Sequence, residues 1–291
     1  MLQVRALTKR YPDGTVALDD VDLDVSRGEA VVLLGANGSG KSTLLRCVTR
    51  LLEPTSGSVT FDGREVMHAE AAELRDIRRR VGVVFQHINL VDQVSVLSNV
   101  LHGQLGRDGR ARQWFAPTAT REARDRAMTC LQRVRVDAFA GRRADQLSGG
   151  QRQRVALARM LMQEPELVLA DEPVAALDPR AGREVMDLLW RVVEEDGLTL
   201  LCTLHQLDLA RNYGRRIVGL RDGRKVLDRT ADELTERDTA ALYDHDEPDD
   251  PDEPDQPTDP VDREPSSRVE QRPDQPARVP DLAAVERERD L

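Results

Sequence analysis

The chain has 291 residues, 42 lysines and arginines against 52 aspartates and glutamates, and three cysteines. That length allows one large domain or two small ones, and the dispersed Cys47, Cys130 and Cys202 fit neither a disulfide framework nor a metal site, so they read as buried free thiols. No apolar run approaches the roughly 18–20 residues that cross a bilayer, and the N-terminus lacks a signal-peptide core, so a soluble, cytoplasmic chain is expected.

The net charge of −10 is unevenly placed: residues 244–291 carry 17 acidic residues and 6 arginines, which leaves residues 1–243 near neutral. A near-neutral body argues against a general nucleic-acid binder, which needs a basic face to displace counterions from phosphates.

The first thirty residues alternate in polarity around a Pro12-Asp13-Gly14 turn and predict short half-buried strands in a mostly antiparallel layer. Ala30–Leu34 is a continuous apolar run of strand length. It leads into Gly35-Ala36-Asn37-Gly38-Ser39-Gly40-Lys41-Ser42-Thr43 and then an apolar-periodic helix over 41–52. Strand, glycine loop and helix together form the context of a phosphate-binding loop. Its glycines let successive N–H groups point at phosphate oxygens, Lys41 supplies a mobile positive charge, and the Ser42 hydroxyl suits Mg²⁺.

Val81–Phe85 predicts another buried strand, closed by Gln86. Helices are predicted near 94–105, 120–135 and 150–162, with a polar Gly/Arg/Asp break at 106–113, as a helical insertion over about 87–163. Leu147-Ser148-Gly149-Gly150-Gln151 opens the third of these. A serine N-cap followed by two glycines makes a second anion-seeking helix start. With one phosphate loop per chain, that second site makes most sense facing the nucleotide of another copy.

Leu167–Ala170 is a strand-like run ending in Asp171-Glu172. Two carboxylates side by side at a strand end are unfavourable in a plain core, so Asp171 reads as a magnesium ligand and Glu172 as the group that polarises the attacking water. A helix over 181–194 and strands at 198–204 and 216–220 follow, with His205 directly after the first strand. The alternation of strands and helices points to a parallel α/β sheet. The fold is expected to end near Tyr243. Beyond it, prolines at 248, 251, 254, 257 and 260 in an acidic, aromatic-free stretch predict a disordered tail over 244–291.

With these motifs in this order, residues 1–243 resemble ATP-binding-cassette ATPases. The resemblance implies a P-loop NTPase (RecA-like) core with an antiparallel β subdomain and a helical insertion carrying the signature motif. It also implies roles: Tyr11 stacks on adenine, 35–43 is the Walker A loop, Gln86 belongs to the Q-loop, 148–151 lie in the signature, Asp171 and Glu172 end the Walker B strand, Asp178 is the D-loop aspartate and His205 the switch histidine. Val174-Ala-Ala departs from the threonine or serine often found before Leu177-Asp178.

Members of this family bind ATP with Mg²⁺ and close head to tail as two copies, each nucleotide lying between the Walker A loop of one chain and the signature of the other. A finer resemblance, carried by Leu44–Gly57, Arg143–Gly150, Leu204–Arg211 and an extended linker at 103–115, is to the ATPase subunits of phosphonate importers. It implies uptake of phosphonate or a related oxyanion, with amino-acid and phosphate importers and a soluble cassette ATPase as alternatives. It further implies a peripheral place on the cytoplasmic face of the cell membrane, a permease docked near 86–101, and a solute-binding protein that reaches this chain only through the permease.

Overall fold

The computed structural model describes residues 1–86, 88–105 and 116–243. The polar break at 106–113, most of the 103–115 linker and the tail at 244–291 lie outside them. Strands β1 (Leu2–Arg10), β2 (Val16–Val25), β4 (Ser56–Phe61) and β5 (Arg64–Glu65) form one antiparallel sheet in the order β2-β1-β4-β5. Leu2 sits between Val25 and Phe61 in its register. The antiparallel layer expected from the alternating N-terminus is therefore present, with β4 and β5 added from a segment whose pattern did not announce them.

The second sheet contains β3 (Ala30–Leu34), β6 (Val81–Val84), β7 (Leu167–Asp171), β8 (Thr199–Leu204), β9 (Arg216–Arg221) and β10 (Arg224–Thr230), in the order β10-β9-β3-β8-β7-β6. All pairings from β9 to β6 are parallel, and β10 closes one edge antiparallel to β9. The continuous apolar runs follow from burial on both faces. Val31, Leu33, Leu167, Leu169 and Leu201 face a core shared with the antiparallel sheet and helices α1 (Lys41–Val48) and α2 (Ala71–Arg79). Val32, Leu34, Val168, Ala170, Leu200 and Cys202 face the other way. There they meet a second core formed with α3 (Val96–Leu101), α4 (Arg121–Arg133), α5 (Gly149–Met162), α6 (Pro179–Glu195) and α7 (Leu207–Tyr213).

Helix boundaries differ from the sequence expectation where local chemistry intervenes. α1 stops at Val48 rather than 52, because Arg50 takes a left-handed φ of +51°. The helix expected over 94–105 is α3 followed by a 3₁₀ turn at His102–Gln104, and its start is moved to Val96 by Ser95, whose Oγ accepts the Ser98 N–H. α8 (Glu236–Tyr243) ends the described fold. Burial pushes the thiols of Cys47 and Cys130 up to about 11 and raises that of Cys202 further, so all three are poor nucleophiles.

Candidate functional site

Because β3, β8, β7 and β6 are parallel neighbours, their carboxyl ends share one edge of the sheet, where ligands bind in open α/β folds. The phosphate loop leaves β3 there, His205 leaves β8, Asp171 and Glu172 end β7, and Gln86 follows β6. A cavity of about 490 Å³ is lined by Asn37, Gly38, Gly40, Lys41, Ser42, Thr43, Gln86, Glu172, Ala175 and His205.

Two glycines of the loop are demanded by its shape. Gly38 has φ +82°, and Gly40, at φ +101°, would place a Cβ 2.4 Å from the Ala17 carbonyl oxygen on β2. Gly40 caps α1 without a side chain, and no acid occupies the first helical turn, so the helix start offers its N–H groups and positive dipole end to the cavity. Ser39 is buried, and its Oγ has no hydrogen-bond partner among the described residues. Such an orphaned donor fits a loop shaped to receive an oxyanion.

Lys41 is buried, and its Nζ donates to the carbonyls of Gly35 and Ala36 at 2.8 and 2.9 Å while standing 3.8 Å from Glu172 Oε1. Burial pulls its pKa below the usual lysine value, and the Glu172 and Asp171 carboxylates oppose that shift. Ser42 Oγ donates to Asp171 Oδ1 at 2.8 Å, joining the loop to β7. Glu172 holds a left-handed φ of +44° just before Pro173, and its Oε2 lies 3.6 Å from His205 Nδ1.

Thr203 was not singled out from sequence. It is fully buried, accepts the Glu172 N–H at 2.8 Å and donates to Asp171 Oδ1 at 2.9 Å. The signal available was the second of two hydroxyls, after Thr199, inside the apolar run before His205.

The remaining expected residues gather elsewhere. Ser148 caps α5, accepting the Gln151 N–H at 3.3 Å while Gln151 Oε1 accepts the Ser148 N–H at 2.9 Å. Asp178 caps α6, accepting from the N–H groups of Arg180 and Ala181. Ser148, Gly149, Gly150, Gln151 and Asp178 line a separate cleft of about 430 Å³. The departing segment 174–176 divides the two spaces: Ala175 lines the first and Ala176 the second. Tyr11 lines neither. It opens the β1–β2 turn with Lys9 Nζ 5.3 Å from its ring centre, on the hairpin whose Ala17 abuts Gly40.

Comparisons with known proteins agree with this geometry. Residues 18–175 match the ABC transporter family. The Phosphate-import ATP-binding protein PhnC of Mycolicibacterium smegmatis is 56% identical over 244 residues, covering 84% of this chain and 92% of that protein. The Phosphonates import ATP-binding protein PhnC of Nocardia farcinica is 53% identical over 243 residues, covering 84% and 90%. The ATP-binding cassette MJ0796, solved as a dimer in a post-hydrolysis state bound to ADP and Pi, superposes with a TM-score of 0.70 at 38% identity, covering 79% of this chain and 99% of that one.

Proposed function

The chain belongs to the ABC transporter family, and we propose that it is the ATP-hydrolysing subunit of an importer for phosphonate or a related oxyanion. The observation that carries the reading is the split of the site. One cleft offers a phosphate loop and the Glu172 carboxylate, with Asp171 bonded to its Ser42, the other a capped helix start and Asp178, and they share no lining residue. Two copies placed head to tail bring the first cleft of each against the second cleft of its partner, and ATP is the ligand between them.

In this reading the loop N–H groups, Ser39 and Lys41 hold the phosphates, Tyr11 stacks on the base, and Ser148–Gln151 of the facing copy close over the γ-phosphate. Asp171 and Ser42 present hard oxygen donors 2.8 Å apart, a set that suits Mg²⁺ completed by phosphate oxygens, and Gln86, which lines the same cavity, is the further ligand we propose. When bound, the ion neutralises charge that develops on the phosphates. Glu172 takes the proton of the attacking water, and His205 contacts the transferred group. Residues 1–243 are the ATPase domain, with about 87–163 as its insertion, and 244–291 are a tail.

A third cavity, of about 900 Å³, is lined by Leu51, Arg75, Arg78, Phe85, His102, Leu105 and Arg159, among others. We take it as the groove for a cytoplasmic segment of the permease. Of the 86–101 stretch expected from sequence its lining includes Asn89, and the rest comes from the segment after α1, one face of α2, β6 and residues near 102–105 and 159–163. No described helix is long and apolar enough to cross a membrane, and the proposed location is peripheral, on the permease. The solute-binding protein acts through the permease, so no residue of this chain need touch the solute, and nucleic acid is not a partner.

The two relatives named above are called phosphate and phosphonates importers, which points to tetrahedral phosphorus oxyanions as the solute class. Uptake of a labelled alkylphosphonate, with phosphate and an amino acid in parallel, tests it in cells carrying the parental chain or E172Q. Loss of phosphonate or phosphate uptake is expected. Loss confined to the amino acid, or no loss, overturns the solute assignment.

A further inference from the structure

We propose that Thr203 is a positioning residue for hydrolysis, its buried hydroxyl fixing the Glu172 peptide and one Asp171 oxygen at the same time. The inference rests on the reading of Asp171 as metal ligand and Glu172 as base. The β7–β8 register pairs Asp171 with Thr203, and the β3–β8 register pairs Thr203 with Leu33. Leu33 and Leu201 on this face are buried in apolar surroundings, where an unbonded hydroxyl is unfavourable. Thr203 is bonded in both capacities. Its Oγ1 donates to Asp171 Oδ1 and accepts from the Glu172 N–H, at 2.9 and 2.8 Å.

Both bonds bear on reacting groups. Asp171 Oδ1 also accepts from Ser42 Oγ, so two hydroxyls fix one carboxylate oxygen and leave less freedom for the carboxylate to turn. Glu172 carries a left-handed φ of +44° ahead of a proline, a backbone state that persists only where the surroundings over-determine it. The bond from its N–H to Thr203 is one such restraint. The direction in which the Glu172 side chain leaves the backbone, between Lys41 and His205, depends on that peptide staying in place. The hydroxyl thus ties the mutual geometry of base and metal ligand to a central strand.

The packing and hydroxyl contributions separate by substitution. T203V keeps the shape and removes both bonds, whereas T203S keeps the hydroxyl and removes a methyl group. In full-length protein, T203V should lower turnover at saturating Mg-ATP roughly tenfold or more. It should leave ATP binding within about threefold and speed amide hydrogen exchange at Glu172, measured without nucleotide, because that N–H loses its acceptor. T203S should stay within about threefold of the parental chain on all three measures. If T203V does not fold, T203A carries the same prediction against T203S.

A turnover order with T203S below T203V or T203A would assign the effect to packing and overturn the proposal, as would parental turnover in T203V. E172Q run alongside separates the two levels of the argument. Parental hydrolysis by E172Q breaks the reading of the site itself, whereas an inactive E172Q beside a fully active T203V breaks only the role of Thr203.

Discussion

His205 Nδ1 lies 3.6 Å from Oε2 of Glu172, although the two residues belong to different strand ends and are 33 positions apart. The other oxygen of the same carboxylate faces Lys41 at 3.8 Å, so Glu172 lies between Lys41 of the glycine loop and His205.

Replacement of either partner in the Lys41–Glu172 pair should separate binding from chemistry. K41A removes the one buried ammonium from the cavity, and nucleotide affinity should fall roughly 30-fold, corresponding to about 2 kcal/mol for a charge-assisted hydrogen bond. E172Q keeps shape and polarity, and should retain ATP while turnover falls by roughly 10²–10⁴. Equilibrium binding of a fluorescent ATP analogue and phosphate release under saturation check the two halves.

The proposed permease groove yields a contrast between two substitutions. Val96 is fully buried at the start of α3, so V96D puts a charge into the core and should cost about 3–5 kcal/mol of stability. Leu51 lines the groove and is 55% exposed, so L51D should leave the melting temperature nearly unchanged while weakening permease association and uptake. Thermal unfolding followed by copurification with the permease distinguishes them. Val96 lies in the 86–101 stretch expected from sequence to meet the permease, and its burial removes it from that surface.

Acid should loosen the joint between the two sheets. Arg80, then Arg27, hold the Glu166 carboxyl down at about 2, and the same arginines bond Asp62 at the β4–β5 turn. Since the folded value lies below the unfolded one, the stabilisation is fully present above about 4.5 and is lost as pH falls toward about 2. Glu166 is 35% exposed, so solvent screening limits its contribution to about 1 kcal/mol. E166Q should therefore be less stable than the parental chain at pH 7, with the gap closing as denaturant melts are repeated between pH 5 and 3.

Removal of residues 245–291 should leave ATP turnover nearly intact, within about twofold, since the tail's composition cannot support a packed core. The truncation point matters, because Tyr243 Oη donates to the His205 carbonyl at 2.9 Å. A chain ending before Tyr243 loses that bond beside the expected switch histidine and should turn over more slowly than one ending at 244. Steady-state ATPase rates of the two truncations test the difference.

The sequence revealed the site better than its setting. Lys41 and Ser42 were legible because a phosphate loop needs fixed residue types at fixed spacing, and the strand ends that carry Gln86, Asp171, Glu172 and His205 were legible as apolar runs. β4, β5 and α2 were not, since their short mixed patterns take shape only by pairing with β1 and packing beneath the sheet. The length of α1 was misjudged because apolar Leu51 and Leu52 continue its pattern while the left-handed Arg50 ends the helix. Thr203 was hidden for another reason: its importance lies in register with Asp171, and a cross-strand partner 32 residues away leaves no periodic trace in sequence.

In the proposed arrangement a complete site needs two copies, one supplying the phosphate loop and the other Ser148–Gln151. Sedimentation of E172Q with and without Mg-ATP is the decisive measurement, since hydrolysis cannot then reopen a closed pair. We expect a monomer that becomes a dimer on adding Mg-ATP and stays a monomer when G149D is added to E172Q. An E172Q chain that binds ATP yet sediments as a monomer, or an ATP-induced dimer that survives G149D, would contradict it.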